Sequence, residues 1–458
     1  MKNLMVAVVI VFIALLASTS LADEKSAPMQ LAQAAQPAPA PAPAEAPAAK
    51  VDSGDTAWVL TSSALVLLMT PGLALFYGGM VRRKNVLGTI MHSFVAMGII
   101  SIQWVLFGYS LAFGPDVGHF IGNLDWIGLN HVGFAPNADY GPTVPHQAYM
   151  IFQMMFAIIT PALISGAIAE RFKFSTYCVF LILWAFLVYD PLAHWVWGAG
   201  GWLHNMGALD FAGGLVVHIS SGVSALACAL VLGRRKGYQV EIMAPHNLTL
   251  TILGACLLWF GWFGFNAGSA VSSGELATSA FVVTHIATAA AAMSWMVTEW
   301  IHRGKPTALG AASGAVAGLV AITPASGFIG PLPALLLGII AGAICYGAVS
   351  LKPRFGYDDS LDVVGVHGVG GTIGALFTGL FASKLINAAG GDGLFFGNPG
   401  QVGIQALSVV CAWVYSFAVT FVILKVLDAV MGLRVSEEDE STGLDLSQHG
   451  EVGYTFEA

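Results

Sequence analysis

Eleven long apolar runs, centred near residues 69, 100, 158, 187, 222, 258, 288, 315, 340, 373 and 415, recur along the chain with few charges inside them. Each is close to the roughly 20 residues needed to cross the hydrocarbon of a bilayer. Lipid offers no partner to backbone N–H and C=O groups, so such runs must satisfy their own hydrogen bonds as helices. Composition points the same way: 56% of residues are hydrophobic and only 10% charged, against roughly a quarter charged in a soluble domain. The expectation is an all-α fold, a polytopic membrane protein of eleven transmembrane helices.

An odd number of spans puts the two ends of the membrane domain on opposite sides. Basic residues cluster in alternate connections: Arg82-Arg83-Lys84, Arg171 and Lys173, Arg234-Arg235-Lys236, Arg303 and Lys305, Lys352 and Arg354. The intervening connections, including the long one from Gly114 to His146, hold no Lys or Arg except Lys384. By the excess of positive charge in cytoplasmic loops, the clustered side is cytoplasmic. The mature N-terminus is then outside and the C-terminal tail inside. The first 22 residues follow a signal-peptide pattern, with Lys2, an apolar run from Leu4 to Leu16 and small residues up to Ala22; the competing reading is an uncleaved first helix. Residues 23–54 form an Ala/Pro-rich linker whose run from Pro37 to Pro43 favours extended chain and buries no core. The membrane domain is expected over 55–431 and the tail over 432–458. The formal charge of −8 owes much to that tail, from Glu437 to Glu457, and nothing in it points to a nucleic-acid partner. Cys178, Cys228, Cys256, Cys345 and Cys411 lie singly in apolar segments, without the close pairs of a metal site or disulfide frame.

The chain repeats itself. Asp210-Phe-Ala-Gly-Gly-Leu-Val-Val-His218-Ile-Ser-Ser-Gly222 in the fifth span aligns with Asp359-Ser-Leu-Asp-Val-Val-Gly-Val-His367-Gly-Val-Gly-Gly371 in the tenth, with Asp, Val, His and Gly at one constant offset. A weaker echo pairs Phe76-Tyr-Gly-Gly79 with Phe265-Asn-Ala-Gly268. Two five-helix halves plus a final helix would follow, and because five is odd the second half inserts upside down, with related residues meeting near mid-membrane. His218 and His367 are the ionisable pair so placed. An ionisable residue at that depth normally faces a cavity or a partner. Each neutral ring offers one donor and one acceptor, so the pair can share a proton along a narrow path. Two other readings stand beside this one: packing histidines bonded to carbonyls, and a bis-histidine haem site.

These two histidine segments resemble the signatures of the ammonium transporter (Amt/MEP/Rh) family. Further matches are Phe76-Tyr-Gly-Gly-Met80-Val-Arg, Phe152-Gln-Met-Met-Phe156-Ala, Gly166-Ala-Ile-Ala-Glu-Arg171 and Trp259-Phe-Gly-Trp-Phe-Gly-Phe265-Asn-Ala-Gly-Ser269. The resemblance covers roughly 55–458. It implies a bacterial-type ammonium transporter, not an enzyme and without a cofactor or metal, in the inner (plasma) membrane. Position by position it makes His218 and His367 the twin histidines of a hydrophobic pore and Phe156 and Phe265 a stacked gate. Trp197, Ser269 and Phe156 form an outer ammonium site built on cation–π attraction and a hydroxyl acceptor. Asp210 is a recruiting carboxylate or, as its place before Ala-Gly-Gly suggests, an N-cap. Trp202 and Trp262 are weaker candidates, and Asp190 is expected near the outer end of span four as vestibule charge or helix cap. The resemblance also implies a homotrimer, a tail packed on the cytoplasmic face, and a PII-type signal protein as partner. An ammonium sensor of the same fold is the alternative function.

Overall fold

The computed structural model of the protein describes residues 50–455. The expected signal peptide, 1–22, and the linker up to residue 49 lie outside the described residues. The first helix, α1 (Ser53–Met80), begins where Asp52 accepts the Asp55 N–H at 2.9 Å. It is followed by α2 (Arg83–Phe113), α3 (His146–Ile168), α4 (Phe174–Asn205), α5 (Gly214–Leu232), α6 (Leu248–Gly268), α7 (Glu275–Arg303), α8 (Ala308–Ile322), α9 (Pro331–Phe355), α10 (Val364–Phe381) and α11 (Gly400–Met431). Two short antiparallel hairpins lie in the 114–145 connection, pairing Asp116–Val117 with Ile121–Gly122 and Pro136–Asn137 with Gly141–Pro145.

Among the described residues ten of these helices are long and apolar enough to cross a membrane, and α8 is the short one at 15 residues. At 1.5 Å per residue it reaches about 22 Å. Beyond Ile322 the chain continues as turns through Phe328, every residue of them buried. Pro324 has no N–H with which to extend the helix. Irregular backbone at membrane depth survives where protein covers it, which is the case here.

The chain start and the tail define opposite faces. On the N-terminal face Asp52 N–H donates to the Thr143 carbonyl at 2.7 Å, and Asp55 accepts from Thr143 at 2.6 Å and from Ser273 at 2.8 Å. On the C-terminal face the basic connections converge on buried acids: Arg82 pairs with Glu170 at 2.7 Å, and Arg235 with Asp358 at 3.0 Å and Glu170 at 3.3 Å. Burial pushes the Glu170 carboxyl up, but Arg235 and Arg82 outweigh it and hold the group below its usual range. Asp358 is held low in the same way, burial again outweighed by Arg235 and Arg171.

The tail is docked across this face. Lys173 N–H donates to the Leu433 carbonyl at 2.9 Å and Val435 N–H to the Arg171 carbonyl at 3.0 Å. A short helix, α12 (Glu437–Thr442), follows. Its Glu440, 1% exposed, accepts from Arg434 at 2.7 Å and from Lys236 N–H at 2.6 Å. Asp445 accepts the Gly88 N–H at 2.8 Å, and the His449 ring sits 4.7 Å from that of Phe174. Several of the acids that composition alone would leave in solvent are therefore partnered.

The repeat is visible in α5 and α10. Each carries its histidine in a π-helical turn, Gly214–Ile219 and Val364–Gly368, a rare geometry that is common at functional sites. Each turn is capped by the aspartate of the repeat, Asp210 or Asp359. The helices cross where Gly222 faces the backbone of Gly368 and Gly371 faces His218, so neither glycine has room for a larger side chain. Overpacking a filled site costs about 1–3 kcal/mol. Gly222→Val should lower the melting temperature of the purified protein more than the same change at Gly403, where a Cβ meets open space.

Candidate functional site

A line of cavities runs from the N-terminal face past the two histidines. The first is a vestibule of about 270 Å³ whose lining includes Tyr149, Gln153, Phe156, Trp197, Asp210 and Ser269. Trp197 ends the helical segment Asp190–Trp197 within α4, and its indole N–H donates to the Asp210 carbonyl at 2.8 Å. The Phe156 ring stands edge-on to it, centroids 6.0 Å apart at 86°. Ser269 follows the last turn of α6 and spends its proton on the Phe265 carbonyl at 2.8 Å. Its oxygen lone pairs remain as acceptors, the chemistry a small N–H cation needs beside aromatic faces.

Asp210 lines this vestibule, but its oxygens are occupied. One accepts the N–H groups of Gly213 and Gly214, the other those of Leu215 and Val216, at 2.5 to 3.2 Å. It is the cap of the π-helical turn that holds His218. Four N–H groups on two oxygens are the hydrogen-bond pattern of a helix cap.

Phe156, which lines the vestibule, packs against Phe265, ring centroids 4.3 Å apart at 39°. Behind them is a cavity of about 10 Å³ lined by His218, His367, Trp262 and otherwise mostly aliphatic side chains. That is room for about one water. A further cavity of about 30 Å³, sharing Phe76, Val316 and His367 with it, adds Tyr77, Ser313 and Asp362 towards the C-terminal face.

His218 and His367 meet directly, Nδ1 to Nδ1 at 3.3 Å. Two rings in contact, in a space of this size, leave no room for a porphyrin between them, which removes the haem reading. Hydrogen-bond valence orders the protons of the uncharged pair. Thr323 Oγ1 donates to the Leu319 carbonyl at 2.7 Å and accepts the Trp262 indole N–H at 2.9 Å. Its one proton is thereby spent, so towards His218 Nε2, at 3.3 Å, it can only accept. His218 then carries its proton on Nε2 and offers Nδ1 as acceptor. His367 Nδ1–H donates to it, and His367 Nε2 keeps a free lone pair.

Of the residues singled out in the sequence, Trp197, Phe156, Ser269 and Asp210 share the vestibule, while Phe265, His218, His367 and Trp262 share the small cavity behind it. Trp262 stacks on His218 with centroids 5.4 Å apart at 23°. Trp202 packs on Trp195 instead and is not among the residues lining the vestibule. Asp190 is a correction: it is fully buried inside α4, bonded to Gln103 at 2.7 Å, and supplies no charge to the vestibule. A π-helical turn, Ala185–Tyr189, precedes it and re-phases the residues that follow, an effect hydropathy does not register.

Two site residues escaped sequence reasoning. Thr323, on the turn after α8, orders the histidine pair. Gln153, 8% exposed and one turn before Phe156, donates to Tyr149 at 3.1 Å while its Oε1 has no partner among the described residues. The Phe152–Phe156 motif contained it; the spare acceptor appears only in three dimensions.

A family model described as "Ammonium Transporter Family" matches residues 57–454. The chain is 56% identical over 402 residues to the "Ammonium transporter" of Bacillus subtilis (strain 168), an alignment covering 88% of this chain and 98% of the relative. Among solved structures it is similar to Saccharomyces cerevisiae Mep2, with TM-score 0.80 and 38% identity over 85% of this chain and 89% of that one. It is likewise similar to a "Sensor Amt Protein", with TM-score 0.80 and 30% identity over 86% of this chain and 98% of that one.

Proposed function

The chain belongs to the ammonium transporter family, a multi-pass membrane family of transporters rather than enzymes, and we propose that it recruits the ammonium ion, strips its proton and passes neutral ammonia between the twin histidines. The observation that carries this reading is the direct contact of His218 and His367 in the smallest of the three cavities. Placing a bare cation in such an apolar passage costs many kcal/mol. Trp197, Phe156 and Ser269 hold the ion in the vestibule by cation–π attraction and a hydroxyl acceptor, and ammonium avoids that cost by giving its proton to solvent water there before ammonia moves on. Sodium and potassium have no proton to give up, so the same passage rejects them. Phe156 and Phe265 act as the gate, and the free lone pair of His367 takes the hydrogen bond of ammonia as it leaves.

The basic connections orient the molecule by the positive-inside rule: the C-terminal face is cytoplasmic and the vestibule opens outside, in the inner (plasma) membrane. The docked tail is a regulatory segment, and its face is the surface for a PII-type signal protein on a homotrimer. The likeness to a "Sensor Amt Protein" favours one second reading, an ammonium sensor of the same fold.

Methylammonium uptake into proteoliposomes tests the pore. Loss of one hydrogen-bonding partner, about 1–3 kcal/mol, corresponds to roughly fivefold or more in rate. His218→Ala and His367→Ala should each lose at least that much uptake with an unchanged helical spectrum. Wild-type rates in both folded variants would sink the twin-histidine mechanism.

A further inference from the structure

Asp190 takes no part in the pore, yet it is a fully buried carboxyl inside a membrane span, a placement that proteins rarely keep without use. Its one side-chain partner among the described residues is Gln103, whose Nε2–H donates to Oδ2 at 2.7 Å. Two atoms are left over, both buried and both without a partner: Asp190 Oδ1 and Gln103 Oε1. Both are acceptors if the carboxyl is ionised, so neither can satisfy the other. A single proton on Oδ1 satisfies both, closing a ring in which amide and acid each donate once.

We propose that Asp190 is a neutral carboxylic acid joined to Gln103 in this two-hydrogen-bond ring, and that the ring is a positioning device for Trp197. Gln103 immediately precedes the π-helical turn Trp104–Gly108 of α2, and Asp190 immediately follows the turn Ala185–Tyr189 of α4. The ring therefore ties two π-turns together. Gly108 leaves the Gln103 amide its place, since a Cβ there would collide with it. From this anchor the helical segment Asp190–Trp197 runs to the vestibule with polar ties on one face at i, i+4 and i+7. Asp190 holds Gln103. His194 contacts the Ala112 carbonyl at 3.0 Å and Asp116 at 2.9 Å. Trp197 holds the Asp210 carbonyl at 2.8 Å. The role for Trp197 rests on the transport reading above; the neutral acid does not.

Infrared difference spectroscopy of the full chain in lipid at neutral pH tests the first part. A carboxylic-acid C=O band that shifts in D2O and disappears in Asp190→Asn is expected. Identical spectra of the two proteins in that region would overturn the proposal, whether or not the protein transports. The second part is read from uptake kinetics. Asn restores a complete amide–amide ring, so Asp190→Asn should keep the wild-type half-saturation for methylammonium. Gln103→Leu, which removes the donor and leaves the shape, should raise it roughly fivefold with little change in maximal rate. Equal half-saturation in Gln103→Leu and wild type, or loss of maximal rate alone, would overturn the positioning role.

Discussion

Replacing Asp210 with alanine should cost the protein its α5 entrance and, with it, both ends of the candidate site. The four N–H groups that the carboxylate accepts would be orphaned in a buried place, at about 1–3 kcal/mol each. Even the low end is a large part of a typical stability of about 5–15 kcal/mol. The expected result is little folded protein in membranes, or a melting temperature far below wild type. Asp210→Asn separates capping from charge. Its amide keeps one acceptor oxygen and presents an NH₂ group to two N–H donors, so it should also melt markedly lower. Because Trp197 donates to the Asp210 carbonyl, its half-saturation for methylammonium should rise as well. An Asp210→Asn protein that melts like wild type but binds ammonium poorly would instead identify the carboxylate as a direct ion ligand.

The second large effect is expected on the C-terminal face. Glu170, 1% exposed, lies in the left-handed backbone region with φ 73°, a strained conformation held by Arg82 and Arg235. Glu170→Gln keeps the shape but leaves two arginines short of a charge, and breaking a buried pair in this way costs about 3–5 kcal/mol. The pH dependence has a definite sign. Glu170 and Asp358 are both held below their ordinary values. Their contribution is therefore complete above the ordinary carboxylate range and is lost as pH falls through the lowered values. Melting curves of wild type and Glu170→Gln should stand well apart at neutral pH and converge on strong acidification. A constant gap down to the acid limit would show that the charge of Glu170 does not stabilise the fold.

How much of this was legible in the sequence depends on how local each signal is. Spans announce themselves as apolar runs, and the basic connections fall after every second helix, so the count and the alternation were readable. The repeat was readable because Asp, His and Gly recur at one offset, and that offset also brings Gly222 to Gly368 and Gly371 to His218. Residues whose role depends on a distant partner left no such trace. Thr323 sits 105 positions from His218, in a stretch that reads only as an apolar helix ending at a proline. Asp190 was placed wrongly because a π-helical turn, invisible to hydropathy, sits in front of it. For Asp210 the neighbouring Ala-Gly-Gly was the useful clue, since a cap needs nearby N–H groups on a chain that can turn.

Passage of ammonium but not of alkali cations is measured as flux into proteoliposomes of the wild-type protein after a jump in external ammonium, with potassium and sodium jumps as controls. Saturable ammonium uptake well above protein-free vesicles and no response to the alkali ions are expected. Uptake no faster than in protein-free vesicles, from a protein that still binds ammonium, would contradict transport and favour the sensor; equal flux of potassium would contradict passage in the neutral form.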